Sequence, residues 1–224
     1  MAATPGQTAI TNGTNGTNGT PSVPSRVVPP VELPENVDAL AADAAASLGW
    51  HGAVLPPLTM FGRRVYVVAK LRPEAHAERI ALGQEPVTDR AQVSTWTWPE
   101  LADTAPPPAV DVVGVLAVAR HWRTGLAATV PFSRYGEAAM VLPQSMTLTH
   151  DYVDNCLPRT RTYGVAVVSA DDEAHVTLDV ESHSDRVLLG RDPVWRWVNE
   201  VVYERLIAME DASAAPAEES SQHA

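Results

Sequence analysis

Residues 162–182 read TYGVAVVSADDEAHVTLDVES, and this stretch decides the fold class. Two runs rich in β-branched residues, 162–170 and 174–182, are joined by the polar Asp171-Asp172-Glu173. The second run alternates, with Val176, Leu178 and Val180 on one side and Thr177 and Asp179 on the other. A period of two is the signature of a strand with one face buried. Two such strands with a short connector make an antiparallel hairpin.

Working outward, strands are expected at 111–120, 125–132 and 137–142. His121-Trp122-Arg123-Thr124 is of hairpin length between the first two. A helix fits 149–156, with Thr149 capping its start and Pro158 ending it. Towards the N-terminus, 63–70 reads as a strand, 73–82 as a short helix opened by Pro73, and 93–98 as an alternating strand with Trp96 and Trp98 on one face. Pro106-Pro107-Pro108 breaks the pattern and is expected to be a loop. Two long helices frame the strands. The first, 35–48, has its stripe at Val37, Leu40, Ala41, Ala44 and Leu48, and stops at Gly49. The last, 192–210, is capped by Asp192, starts at Pro193, and carries Trp195, Val198, Val202, Leu206 and Met209 on one side. The fold class expected is α+β: a mainly antiparallel sheet of five or six strands with the two long helices packed on one face.

Residues 1–32 contain three Asn-Gly-Thr triplets followed by a proline-containing run, and 212–224 are Ala, Ser, Glu and Gln with little else. Neither stretch carries an apolar periodicity, so both are expected to be disordered tails around one domain at 33–211. Hydrophobic residues make up 45% of the chain, enough for a core. No basic-then-apolar leader is visible and no apolar run approaches a membrane span, so the expected location is cytoplasmic and no membrane partner is expected.

Sixteen basic against 27 acidic side chains give a net charge of −11. Phosphate neutralisation drives nonspecific nucleic-acid binding, so no nucleic-acid partner is expected. Cys156 is the one cysteine, which excludes an internal disulfide and any zinc site needing two thiolates from one chain. Phosphate-binding loops, the Gly-x-Ser-x-Gly elbow, zinc-protease and deaminase signatures are absent, so no catalytic residue, metal site or cofactor is assigned.

Two constellations remain. His150, Asp154 and Cys156 are the densest reactive cluster. On a helix His150 and Asp154 share a face, whereas Cys156 lies about 240° round from His150. The competing reading is a capped surface turn with Cys156 packed as a small hydrophobe. The second constellation is basic and aromatic: Arg120, His121, Trp122, Arg123 and Arg134 around the expected hairpin with Tyr135 beside them, and Arg159 and Arg161 at the start of the next strand. Of these, Arg120, Trp122, Arg123, Arg134 and Arg161 are the candidates to bind a small anion or an acidic peptide, because guanidinium grips carboxylate and stacks on rings. Trp197 and Val201 form a second apolar side on the last helix, which is either sandwiched inside the fold or paired with another chain, making them the candidate interface of a homodimer. The function expected is therefore a non-catalytic binding, adaptor or assembly protein acting through protein contacts. The alternative is a small enzyme or ligand-binding domain with an arginine-lined pocket for an anionic small molecule.

Overall fold

A computed structural model describes residue 33, residues 36–182 and residues 192–214. The expected N-terminal tail, residues 1–32, and 215–224 of the expected C-terminal tail lie outside the described residues. Helix α1 spans Val37–Ser47, with the Asn36 side chain accepting from Ala39 N–H at 3.0 Å. Strands β1 (Ala53–Val54), β2 (Leu58–Met60) and β3 (Arg63–Leu71) follow, then α2 (Pro73–Ala81) and α3 (Arg90–Thr95). The second half runs β4 (Val110–Val118), α4 (Trp122–Thr129), β5 (Glu137–Pro143), α5 (Gln144–Thr147), α6 (Leu157–Tyr163), β6 (Ala166–Ala170), β7 (Val176–Val180) and α7 (Pro193–Ala214).

The seven strands form one mixed sheet in the order β1-β3-β4-β5-β6-β7, with β2 also pairing with β3. Pairings β3–β4 and β6–β7 are antiparallel, but β4–β5 and β5–β6 are parallel. The expected antiparallel sheet is thus corrected to a mixed one. Parallel neighbours need a crossover, and α4 supplies it where 125–132 was expected to be a strand. The sequence His121–Thr124 opens that helix instead of turning a hairpin.

The two long helices do not share a face. Leu40, Ala41 and Ala44 of α1 pack with Tyr66, Val68, Leu116, Ala139, Val141 and Val168. Val198, Val202 and Leu206 of α7 pack with Val65, Val67, Val115 and Ala117, the alternate residues of the same strands. Successive strand side chains point to opposite faces, so α1 and α7 enclose the sheet between them. Burial on both sides explains why Val65–Ala69, Ala138–Pro143 and Ala166–Ala170 are uninterrupted buried runs.

Three local readings also change. Residues 93–98 are not a strand: Asp89 accepts from Ala91 N–H at 2.7 Å and starts α3. Thr149 does cap its helix, accepting from Tyr152 N–H at 3.2 Å, but Pro158 does not end it. The chain widens to a π-wound turn at Tyr152–Cys156 and continues as α6, with Pro158 in its first turn, where a missing N–H is tolerated. In β7 the register slips between Val167↔Val180 and Val168↔Leu178, leaving Asp179 as an extra residue. That bulge turns Val180 to the Cys156 side while Val176 and Leu178 pack towards α1.

Candidate functional site

Trp122 begins α4 after the three residues that follow β4 and is 3% exposed. Its Nε1–H donates to Asp151 Oδ2 at 2.8 Å. Arg123, the next residue, forks the same carboxylate with Nη1···Oδ2 and Nη2···Oδ1 both at 3.0 Å. Asn155 Nδ2 donates to Oδ1 at 2.9 Å. The Trp122 and Arg123 donors hold the Asp151 carboxyl below its ordinary range. A fixed carboxylate in turn fixes the arginine, whose guanidinium carbon lies 4.3 Å from the Trp122 ring centroid.

Arg159 reaches the same ring from α6, at 5.5 Å, while its Nη1 donates to the Asn155 carbonyl at 2.7 Å. Two guanidinium groups therefore lie over one indole whose face is already negative. Beside them a shallow depression of about 350 Å³ has Leu126, Ala127 and Val130 as its floor and Tyr163 at its rim. The site comprises an apolar floor, two rim cations and an exposed tyrosine; no carboxylate is among its lining residues.

Of the basic and aromatic residues singled out from the sequence, Trp122, Arg123 and Arg159 meet here. Arg120, Arg134 and Arg161 are exposed and do not line the depression. Arg159, expected at the start of a strand, and Tyr163, within the expected strand, both reach the site because the helix of 149–156 continues past Pro158 as α6. The reactive trio separates. Cys156 is sealed against Met140, Leu142 and Val167, and burial pushes its thiol up to about 12. His150 and Asp154 are exposed on the other side of that turn. Among the described residues no group of three or more His, Cys, Asp or Glu is placed to hold a metal ion.

The second side of α7 is covered within the chain. Trp197 Nε1 donates to the Thr88 carbonyl at 2.8 Å, and Arg90 of α3 lies 3.9 Å from its ring centroid. Trp197 and Val201 both pack on the α7-side core. Of the two arrangements that the helix allowed, the sandwiched one accounts for both residues without a second chain.

A buried ion pair escaped the sequence reading altogether. Arg79 of α2 and Glu200 of α7 meet through Nη1···Oε1 at 2.9 Å and Nη2···Oε2 at 2.8 Å, with side chains 0% and 1% exposed. Arg79 also donates to the Glu85 carbonyl at 3.0 Å, and Glu200 accepts from Val87 N–H at 3.0 Å. The pair ties the loop after α2 to α7. The one available signal was Glu200 itself, a carboxylate between Trp197 and Val201 on an apolar side.

Both crossovers, α4 and the segment through the π-wound turn, pack on the α7 face of the sheet. Consecutive crossovers on one face leave no switch point between parallel strands, which is where open α/β sheets form their ligand crevice. No helix among the described residues is long and apolar enough to cross a membrane. No protein-family model matches the chain, and neither a curated protein nor a solved structure matches it.

Proposed function

We propose that the domain is a non-catalytic binding protein, an adaptor or assembly component, whose contact surface is the Trp122 platform and whose partner presents an acidic segment with an apolar side chain. The observation that carries this reading is the pair of arginines held over a buried tryptophan beside an apolar floor, in a chain of net charge −11. Aromatic and arginine side chains are the residues enriched at the centres of protein contacts. Local positive charge on an acidic molecule orients an acidic partner to that spot and repels it elsewhere. An enzyme built on His150, Cys156 and the arginines is disfavoured, because Cys156 is sealed and the depression contains neither it nor His150. The reading places the protein in the cytoplasm, where its lone sealed thiol needs no pairing.

A photo-crosslinking residue placed at Ala127 tests it in the native host. Ala127 is exposed on the floor of the depression, so the probe adds no strain to the core. One discrete adduct is expected at Ala127, with none from the same probe at the exposed Thr59 on the far edge of the sheet. Arg159→Glu should abolish it. No adduct at Ala127, or the same adducts from Thr59, refutes the platform.

A further inference from the structure

The Trp122 platform suits an acidic segment with an apolar side chain, and the folded domain itself displays one. Asp171-Asp172-Glu173 lies in the turn between β6 and β7. That turn is held by its own backbone. Asp171 N–H donates to the His175 carbonyl at 3.1 Å, and Ala174 N–H donates to the Asp171 carbonyl at 3.1 Å. Asp171 Oδ1 accepts from Glu173 N–H at 2.9 Å and from His175 N–H at 2.8 Å. One carboxylate is thus taken up inside the turn, while Asp172 and Glu173 stand exposed. Leu148 lines the same depression as these three acidic residues. At 82% it is the most exposed large apolar side chain among the described residues.

The platform has matching donors to spare. Arg123 commits both of its Nη groups to Asp151, whereas Arg159 bonds through Nη1 alone among the described residues. Nε and Nη2 of Arg159 are left for an incoming carboxylate, which a guanidinium group takes in a two-point grip. The apolar floor of Leu126, Ala127 and Val130 lies beside it.

Strand direction brings the two surfaces to one end of the molecule. Strands β4, β5 and β6 are parallel, so their C-terminal ends lie together. Trp122 and Arg123 follow β4, Leu148 follows β5 through α5, and Asp171 follows β6 directly. The platform and the acidic depression share no lining residue, so the turn does not fill the platform of its own chain. A second copy, turned about a two-fold axis at that end, offers its turn to the first platform and receives the first turn on its own. The contact is then made twice and closes on itself, the arrangement of the commonest soluble oligomers.

Resting on the platform reading, we propose that the occupant is a second copy of this chain, with Leu148 on the floor at Leu126 and Val130, and Asp172 and Glu173 against Arg159. Opposite charges across the two contacts set the register of the pair, and like charges exclude other registers.

The test is a charge exchange in the full chain, read by sedimentation at tens of micromolar. One variant is Arg159→Glu and the other combines Asp172→Arg with Glu173→Arg, all at exposed positions. The native chain is expected to be a dimer. Each variant alone faces like charges in both contacts, and its dissociation constant should rise at least about tenfold. An equimolar mixture should recover a dimer of one copy of each, because one contact is then native and the other has its charges exchanged. A native chain that sediments as a monomer overturns the proposal, as does a mixture that stays monomeric, or a variant that dimerises like the native chain. The photo-crosslinker at Ala127 separates this failure from that of the platform. An adduct of twice the chain mass supports the self-contact. An adduct with a different protein, from a chain that is monomeric, overturns the self-contact and keeps the platform, and no adduct removes both.

Discussion

Arg79→Met is the perturbation that tests the architecture most directly. The substitution keeps most of the side-chain volume and removes the charge. Glu200, 1% exposed, would keep one donor, Val87 N–H, for a carboxylate that now accepts from three N–H groups. The Glu85 and Pro107 carbonyls would lose a guanidinium donor as well. Breaking a buried pair from one side costs about 3–5 kcal/mol, mainly because the partner charge is left uncompensated. For a chain of this size each kcal/mol lowers the thermal midpoint by roughly 2–4 °C, so a fall of at least about 6 °C is expected. Arg79→Met with Glu200→Leu removes both charges and should cost less than Arg79→Met alone, which gives a coupling of at least about 2 kcal/mol. Urea titrations followed by far-ultraviolet ellipticity on the four proteins of the cycle supply the numbers. A single-variant cost below about 1 kcal/mol, the level of an exposed pair, would refute the reasoning, because it would mean the pair is solvated.

Gly114→Ala should destabilise by about 1–3 kcal/mol, since its Cβ would stand 2.6–2.7 Å from three ring atoms of Trp50; Trp50→Leu in the same chain should recover part of the loss in chemical denaturation. Stability should fall on the alkaline side. Burial raises Cys156 from 9.0 to about 12 and Tyr66 from 10.0 to about 12, so the native state keeps protons that the unfolded chain releases; the contribution is complete below the ordinary values and disappears as pH climbs towards 12. Denaturation midpoints measured across that range should therefore decline, and Cys156→Ala should make the decline shallower; a flat profile contradicts the burial argument. Asp192→Ala removes the acceptor of Trp195 N–H and that of the Tyr135 hydroxyl, and about 1 kcal/mol of stability should go with it, read as a lower midpoint in thermal melts.

What the sequence made legible was local. The last helix is where Asp192, Pro193 and the stripe from Trp195 to Leu206 put it, and β3, α2 and Gly49 behave as their residues require. The failures have a common cause. Residues 125–132 resemble a strand because Gly125 and Thr129 are poor helix formers and Pro131 follows. The helix forms because Gly125 lets α4 sit directly on Met140, where a Cβ would meet Sδ at 2.9 Å. That contact belongs to a parallel pairing, which no local pattern encodes. A strand in place of α4 implies hairpin connections and hence antiparallel neighbours, whereas the helix makes β4 and β5 parallel. The site suffered likewise. Trp122 and Arg123 stand out by type, but their partner Asp151 lies 29 and 28 residues away, and nothing in a sequence ranks it above Asp154.

The strand order carries a consequence for synthesis. From β3 to β7 each strand pairs with the one just made, so a growing chain can extend its sheet in the order of translation, and each closure spans little contour length. The opposite holds for Arg79, whose carboxylate partner is 121 residues downstream on the final helix. Until α7 is complete, that guanidinium lacks its carboxylate, and the part of the β3–β4 face that Val198, Val202 and Leu206 cover stays open beside α4. A chain grown only as far as β7 would carry an almost complete sheet with one side partly open, and the arrival of α7 is the event that closes it. A chain cut before Glu200 would be held in that open form, with the apolar side of β3 and β4 available to whatever chaperone binds nascent hydrophobic surface.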